Sequence, residues 1–517
     1  METFSFGIRS IQLDLARQME TVDFIREFTD FAARNGYNSL TLYLEGRIRT
    51  PAFPYPADSE SYTRADIADI VAHAKSRGID VLPVVSTLGH AELFLQNREL
   101  AHLAETREPF TGRFGPGRAQ VFCPSQPATY EFLRRYLREV SEAFPSAYFH
   151  AGCDETWDIG CCDLCQARLH QGESQADIFT KHLLTMHQIV TGELGKKMII
   201  WDDMFEFYPE ALEAVPRDVI LACWQYHDHV TGARGHFFNR RNWDALALYD
   251  RLGFEYLICP SDYTQTIHNA ETFTAYAAKH RPLGGLMTTW EKSDSFLLQS
   301  MPLLACVGRL WESGRVQNCD IILKGVIADL FGLDDELFYR AIQALCSNAL
   351  GMERRISLDD FLTRRENTSD YGRRSLGQVL LALLPAYIDR ITRSSRPILL
   401  EILLSLRSEH IGYRLDALLP EFFLPHPASG HEEAQLNEIR SALRDVAEER
   451  LTMWEQVRPG IAPEALKSLY KAYLENLGRI PEQSAANGAL VVHFFLPDQY
   501  SSQTVRILIR YQDSLEF

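Results

Sequence analysis

No run of the 517 residues approaches the roughly 18 consecutive apolar residues that a membrane-spanning helix requires. Positive charge is also in short supply. Lys and Arg number 52 against 69 Asp and Glu, a formal charge of −17, so there is no basic footprint for nucleic acid or anionic lipid. The first residues, "METFSFGIRSIQLDLARQME", lack a basic stretch followed by an apolar core, so no secretory leader is read. Ten cysteines are scattered, mostly within apolar segments such as "LACWQY" and "LLACVGRLW". Together these features lead us to expect reduced thiols and a cytoplasmic location. There is no internal repeat and no low-complexity tract. No Gly-rich phosphate loop follows the first apolar run, which argues against a dinucleotide-binding fold.

What remains is an ordinary globular composition, 46% hydrophobic and 23% charged, in a chain too long for one core. Eight short runs alternate with helical patterns up to about residue 310: "IRSIQLDL", "NSLTLYLE", "IDVLPVVS", "SAYFHAG", "KMIIWDD", "VILACWQ", "FEYLICP" and "LGGLMTTW". Between them lie "DFIREFTDFAARNG", "TRADIADIVAHAKSRG" and "TYEFLRRYLREVSEAF", two of which end in the Gly expected after a helix. Eight β/α units predict a (β/α)8 TIM barrel over residues 1–315. The pattern then becomes helical, as in "RPILLEILLSLRS" and "EEAQLNEIRSALRDVAEERLTMWEQV". We therefore expect an α-helical C-terminal domain over 316–485 and a β-hairpin tail over 486–517.

In such a barrel the chemistry is built where the strands end. Those ends offer Asp14 and Arg17, Glu45, Gly89 and His90, then His150, Asp154 and Glu155. The later strands add Trp201, Asp202 and Asp203, Trp224, Asp262 and Tyr263, and Trp290 and Glu291. Carboxylates between aromatic walls suit glycoside chemistry, where an acid protonates a leaving oxygen and sugar rings pack on Trp and Tyr. Any one of these carboxylates alone reads more readily as a surface charge or a helix cap, and any one Trp as core filler. Their recurrence at seven strand ends favours a site.

The segment "YFHAGCDE" resembles the His-x-Gly-Gly-Asp-Glu signature of glycoside hydrolase family 20, the β-N-acetylhexosaminidases. "LDLARQM", "VVSTLGHAE", "GKKMIIWDD" and "LGGLMTTWE" extend the resemblance over about residues 5–310. The helical C-terminus is similar to that of the subgroup without an N-terminal accessory domain, the hexosaminidase D type. The chain departs from the pattern at Cys153, in place of the second Gly, and at Leu88, in place of a Pro. Trp290 is also followed directly by Glu291, so Asp294 competes for the latter's place.

The resemblance implies a retaining, substrate-assisted release of terminal β-linked GlcNAc or GalNAc, with a glycan as partner and no cofactor. Neighbours on an extended strand point to opposite sides, so consecutive acids share a substrate only if the strand end bends. Glu155 would then protonate the glycosidic oxygen while Asp154 holds the 2-acetamido N–H. The resemblance further implies that Arg17 and Glu291 hold hydroxyls and that Tyr263 meets the acetamide oxygen, and the strand-end position of Glu45 makes it a further substrate-binding candidate. Trp201, Trp224 and Trp290 would wall the sugar, Asp202 would orient, and His90 and His150 would sit behind the acids. Two other readings stay open: a double-displacement β-glycosidase using Glu45 or Glu291, and a non-catalytic carbohydrate-binding barrel. The extended apolar helical segment also leaves room for a homodimer. Cys162 and Cys165 form a C-x-x-C beside Cys161, half of a zinc knuckle for which His170 offers a further donor. Free thiols are the alternative, and the chemistry itself asks for no metal.

Overall fold

The computed structural model describes residues 3–106, 111–112, 115–116, 120–232, 243–262, 266–290, 296–348, 368–423, 430–487, 489–494 and 505–510. Eight strands form a closed, all-parallel barrel: β1 (Ile8–Asp14), β2 (Ser39–Tyr43), β3 (Asp80–Val84), β4 (Tyr148–His150), β5 (Lys197–Trp201), β6 (Ile220–Trp224), β7 (Tyr256–Cys259) and β8 (Gly284–Met287). They pair in chain order, and β8 closes on β1. Parallel strands are covered on both faces, which is why "SLTLY" and "ILACW" are apolar or small throughout and buried at every position.

Register sets which side chains share a level at the end where the strands finish. Asp14 pairs with Tyr43, Val84 with His150, and Trp224 with Cys259. Polar groups inside the barrel are tied to one another. Ser10 and Thr41 share a hydroxyl contact of 2.8 Å, and Gln12 Nε2 donates to the Thr289 carbonyl at 2.8 Å. Such pairing offsets the cost of burying them.

The outer helices follow local rules. In α1 (Val22–Arg34), the Thr21 side chain accepts from the Phe24 N–H, and Phe24, Ile25, Phe28, Phe31 and Ala32 form the buried stripe. Helix α2 (Arg64–Ser76) opens with a Thr63–Asp66 capping box, and α3 (Pro127–Ser141) with Pro at its first turn. Gly36 and Gly78 follow α1 and α2 in the left-handed region.

The chain divides into two compact units, residues 1–291 with 302–326, and 292–301 with 327–517. The second is helical, its longest members being Arg396–Phe423, His431–Val457 and Glu464–Asn487. Within it the buried Glu401 carboxylate accepts the N–H groups of Phe296 (2.6 Å) and Gln299 (2.8 Å). Two further strands, β9 (Ala489–Phe494) and β10 (Val505–Arg510), pair antiparallel. No helix among the described residues is long and apolar enough to cross a membrane.

One contact in the barrel unit has no slack. Gly308, in the helix Met301–Ser313, faces the end of α1 so closely that a Cβ would lie 2.2 Å from the Asn35 carbonyl and 2.5 Å from the Tyr37 ring. Overpacking of this kind costs about 1–3 kcal/mol or more, so Gly308→Ala should lower unfolding stability by at least that amount in urea titration. Wild-type stability in this variant would show that the helix can move away freely.

Candidate active site

The turn that leaves β4 supplies the two acids. Gly152 and Cys153 both take positive φ, +69° and +74°, and Glu155 follows at +47°. Cys153 stands where the signature that this segment resembles carries glycine. Its buried thiol is accommodated by contacts to Thr87 Oγ1 (3.4 Å) and the Ala151 carbonyl (3.5 Å). Three left-handed residues out of four reverse the strand's alternation. Asp154 and Glu155 therefore approach one atom, His90 Nε2, at 3.4 and 3.3 Å.

His90 comes from the segment after β3 and is itself left-handed, at φ +52°. Gly89 before it lies against the turn: a Cβ there would stand 2.0 Å from the Asp154 carbonyl oxygen. No larger residue allows the two segments to meet. On the other side of the turn, the Glu155 N–H donates to Asp203 Oδ2 at 2.9 Å, so Asp203 anchors the backbone of the second acid. His150, below, is neutral, because burial depresses its pKa to about 3. Its Nδ1 accepts the Gly152 N–H at 3.1 Å, which fixes the tautomer with the proton on Nε2.

The electrostatics are those of a crowded acidic cleft. Burial, reinforced by the Glu155 charge, raises the Asp154 carboxyl to about 6, although His90 pulls the other way. Burial alone would neutralise His90, yet the charges of Asp154, Glu155 and Glu92 overcome it and hold the imidazole protonated. Its Nδ1 lies 3.8 Å from Glu92 Oε1. Glu92 is also buried, which would raise it, but the imidazolium brings it below the ordinary range. Glu45, buried and at φ +44°, is pushed well up by burial and by Glu92, against the pull of Arg17.

Arg17 is the second cation. It bonds Asp14 Oδ2 at 2.8 Å and lies over the rings of Tyr43 (5.5 Å) and Trp290 (5.1 Å). The aromatic wall is continuous. Trp290 meets Tyr43 edge-on at 5.3 Å and Trp201 at 6.2 Å, and Trp201 lies 4.4 Å from the His150 ring. Trp290 Nε1 donates to Tyr226 Oη at 2.8 Å, and Tyr226 packs on Trp224 at 4.9 Å.

The strand ends therefore bring Arg17, Glu45, His90, His150, Asp154, Glu155, Trp201, Trp224 and Trp290 to one end of the barrel. Asp202 is nearby, its Oδ2 accepting from Tyr249 Oη at 2.7 Å, and Asp203 accepts the Glu155 N–H of the acid turn. Tyr263, Glu291 and Asp294 lie outside the described residues. Glu92, Tyr43 and Tyr226 were not anticipated from the sequence. Tyr43 is hidden in a run that reads as core, whereas Tyr226, two positions beyond Trp224, could have been found from the period-2 alternation.

The cysteine cluster differs from the expected set. Cys161 is exposed and stands apart, and His170 is not a member. Cys162 caps α4 (Asp163–His170) and Cys165 sits one turn later on the same side, so these two face inward together, toward Cys123 and Glu105.

Residues 6–280 match the profile of the glycosyl hydrolase family 20 catalytic domain. The chain is 23% identical to beta-hexosaminidase subunit beta of Sus scrofa over 63% of its own length and 65% of that protein's. It is 26% identical to hexosaminidase D of Bos taurus, covering 64% of this chain and 100% of the relative. In fold it is similar to an exo β-N-acetylglucosaminidase of Vibrio harveyi, solved with N-acetylglucosamine, with TM-score 0.50, 18% identity, and coverage of 65% of this chain and 58% of that one. The chain thus spans less than two thirds of the pig and Vibrio proteins. Because the profile match takes in more than half of the 517 residues and all but the end of the barrel, the chain belongs to glycosyl hydrolase family 20.

Proposed function

We propose that the protein is an exo-β-N-acetylhexosaminidase that releases terminal β-linked GlcNAc or GalNAc with retention, using the substrate's own acetamide as nucleophile. The observation that carries this reading is the left-handed turn that directs consecutive acids, Asp154 and Glu155, at the same imidazole nitrogen. Family membership and the printed names of the relatives, hexosaminidases throughout, support it.

In this mechanism Glu155 gives its proton to the glycosidic oxygen. Asp154 accepts the acetamide N–H and turns the carbonyl oxygen onto the anomeric carbon. The C–O bond to the leaving group breaks as the ring of the oxazolinium ion closes. Water then opens that ion as Glu155 takes back a proton. Intramolecular attack replaces a bimolecular encounter and supplies several kcal/mol. The ionised Asp154 offsets the positive charge on the oxazolinium ring, which is strongest in a water-poor site. Trp201, Trp224 and Trp290 supply apolar faces for the pyranose and acetamide. Arg17 and Glu45 are assigned to hydroxyls, as is Glu291. Tyr263 is assigned to the acetamide oxygen. His90 acts through the acids, as a positioning residue whose charge keeps Asp154 ionised. A cytoplasmic location agrees with ten free thiols. Exposed Leu337, Val379 and Leu400 on the helical unit are compatible with a homodimer.

Glu155→Gln should lower kcat by about 10²–10⁴ on a β-N-acetylglucosaminide. Wild-type enzyme should leave the matching β-glucoside, which has no acetamide, essentially untouched. Equal turnover of the two sugars would exclude substrate assistance and favour double displacement.

The pH profile provides a separate check. Asp154 must be ionised and titrates at about 6, so kcat/KM should fall as pH drops below that value. His90 lowers the Asp154 pKa, so His90→Ala should move this acidic limb to higher pH, and Asp154→Asn should abolish it. A limb that stays in place without His90 would show that the imidazolium does not govern Asp154.

A further inference from the structure

We propose that Cys123, Cys162, Cys165 and Glu105 form a structural zinc site that fastens together the two segments carrying the acids and His90. The ligand atoms of these four residues all lie within 4.8 Å of one another. Cys123 Sγ stands 3.2 Å from Cys162 Sγ and 4.0 Å from Cys165 Sγ, and Cys165 Sγ is 3.3 Å from Glu105 Oε2. Around a tetrahedral zinc with Zn–S of about 2.3 Å, ligand atoms are about 3.5–3.8 Å apart, so small side-chain shifts suffice. These contacts are well beyond the about 2.05 Å of a disulfide, and all ten cysteines are free.

The donors are hard to explain as packing alone. Glu105 is 1% exposed, and burying a carboxylate among thiols is costly without a cation or hydrogen bonds. Its Oε1 accepts the N–H groups of Gly160 (2.6 Å) and Cys162 (3.2 Å), which leaves Oε2 directed at the sulfurs. The surroundings resemble the outer sphere of a metal centre. The Cys165 N–H points at Cys162 Sγ (3.4 Å), and Ser125 Oγ lies 3.0 Å from Cys165 Sγ. Arg168 in turn donates to Ser125 Oγ at 3.0 Å, bringing positive charge near a centre that would carry net negative charge. The three thiols bind as thiolates and release their protons to solvent.

The placement gives the site a purpose. Glu105 and Cys123 belong to the segment between β3 and α3, which also carries His90, and Cys162 and Cys165 follow the Asp154–Glu155 turn directly. One ion would hold both segments in the strained conformations that the acid cluster needs, without touching the substrate.

Full-length protein expressed with zinc and passed through a desalting column should retain one equivalent by elemental analysis. Cys161→Ser should retain it too, whereas Cys123→Ser and Cys165→Ser should each lose it. Chelation should lower the melting temperature of the wild type, and added Zn²⁺ should restore it. Cobalt titrated into the chelated wild type should give a thiolate-to-metal charge-transfer band, a readout that does not depend on any variant folding. The proposal is overturned by absence of both zinc and the cobalt band, by full zinc retention in Cys123→Ser, or by a loss of two hydrogens in intact mass that maps to a Cys123–Cys162 disulfide.

Discussion

Everything at the barrel mouth depends on the backbone reversal after β4. An extended strand would send Asp154 and Glu155 to opposite sides. Positive φ at Gly152, Cys153 and Glu155 cancels that alternation. Non-glycine residues in this region cost of order 1–3 kcal/mol each, and Glu45 and His90 add to the sum on neighbouring segments. The strain persists because the surroundings over-determine it. The Asp154 carbonyl fits against Gly89, Asp203 accepts the Glu155 N–H, and His150 accepts the Gly152 N–H.

Once the acids converge, their charges have to be balanced. Glu45, Glu92, Asp154 and Glu155 are brought around His90, with Arg17 bonded to Asp14 at the side. Burial raises Asp154 and Glu45, while the imidazolium lowers Glu92, so carboxylates of the same chemistry are driven to different protonation behaviour by their positions. The aromatic wall tightens the same electrostatics by excluding water, and the Trp290–Tyr226 hydrogen bond fixes the orientation of the most exposed of the three tryptophans.

The eight strands were all legible as apolar runs. A parallel strand covered on both faces leaves little choice of residue, and the helices between announce themselves through caps such as Thr21 and Thr63. The barrel rule then converts position along the chain into position in space, so the strand ends from Arg17 to Trp290 could be read as a cluster before any coordinate. Residues outside that rule were harder. Glu92 lies beyond the strand end on a short helical turn, and Cys123 lies 39 positions from Cys162 with no spacing pattern to link them.

Composition, periodicity and the ordering of strand ends in the sequence alone thus determined the barrel, the helical segment after it, and the residue types at the mouth, because these depend on local propensity and burial. Which acid faces which imidazole nitrogen, that Asp203 accepts the Glu155 N–H, and that Cys123 and Glu105 join Cys162 and Cys165 were decided only in three dimensions. Each of these depends on a φ angle or on a meeting between segments far apart in the chain, and no short-range pattern encodes either.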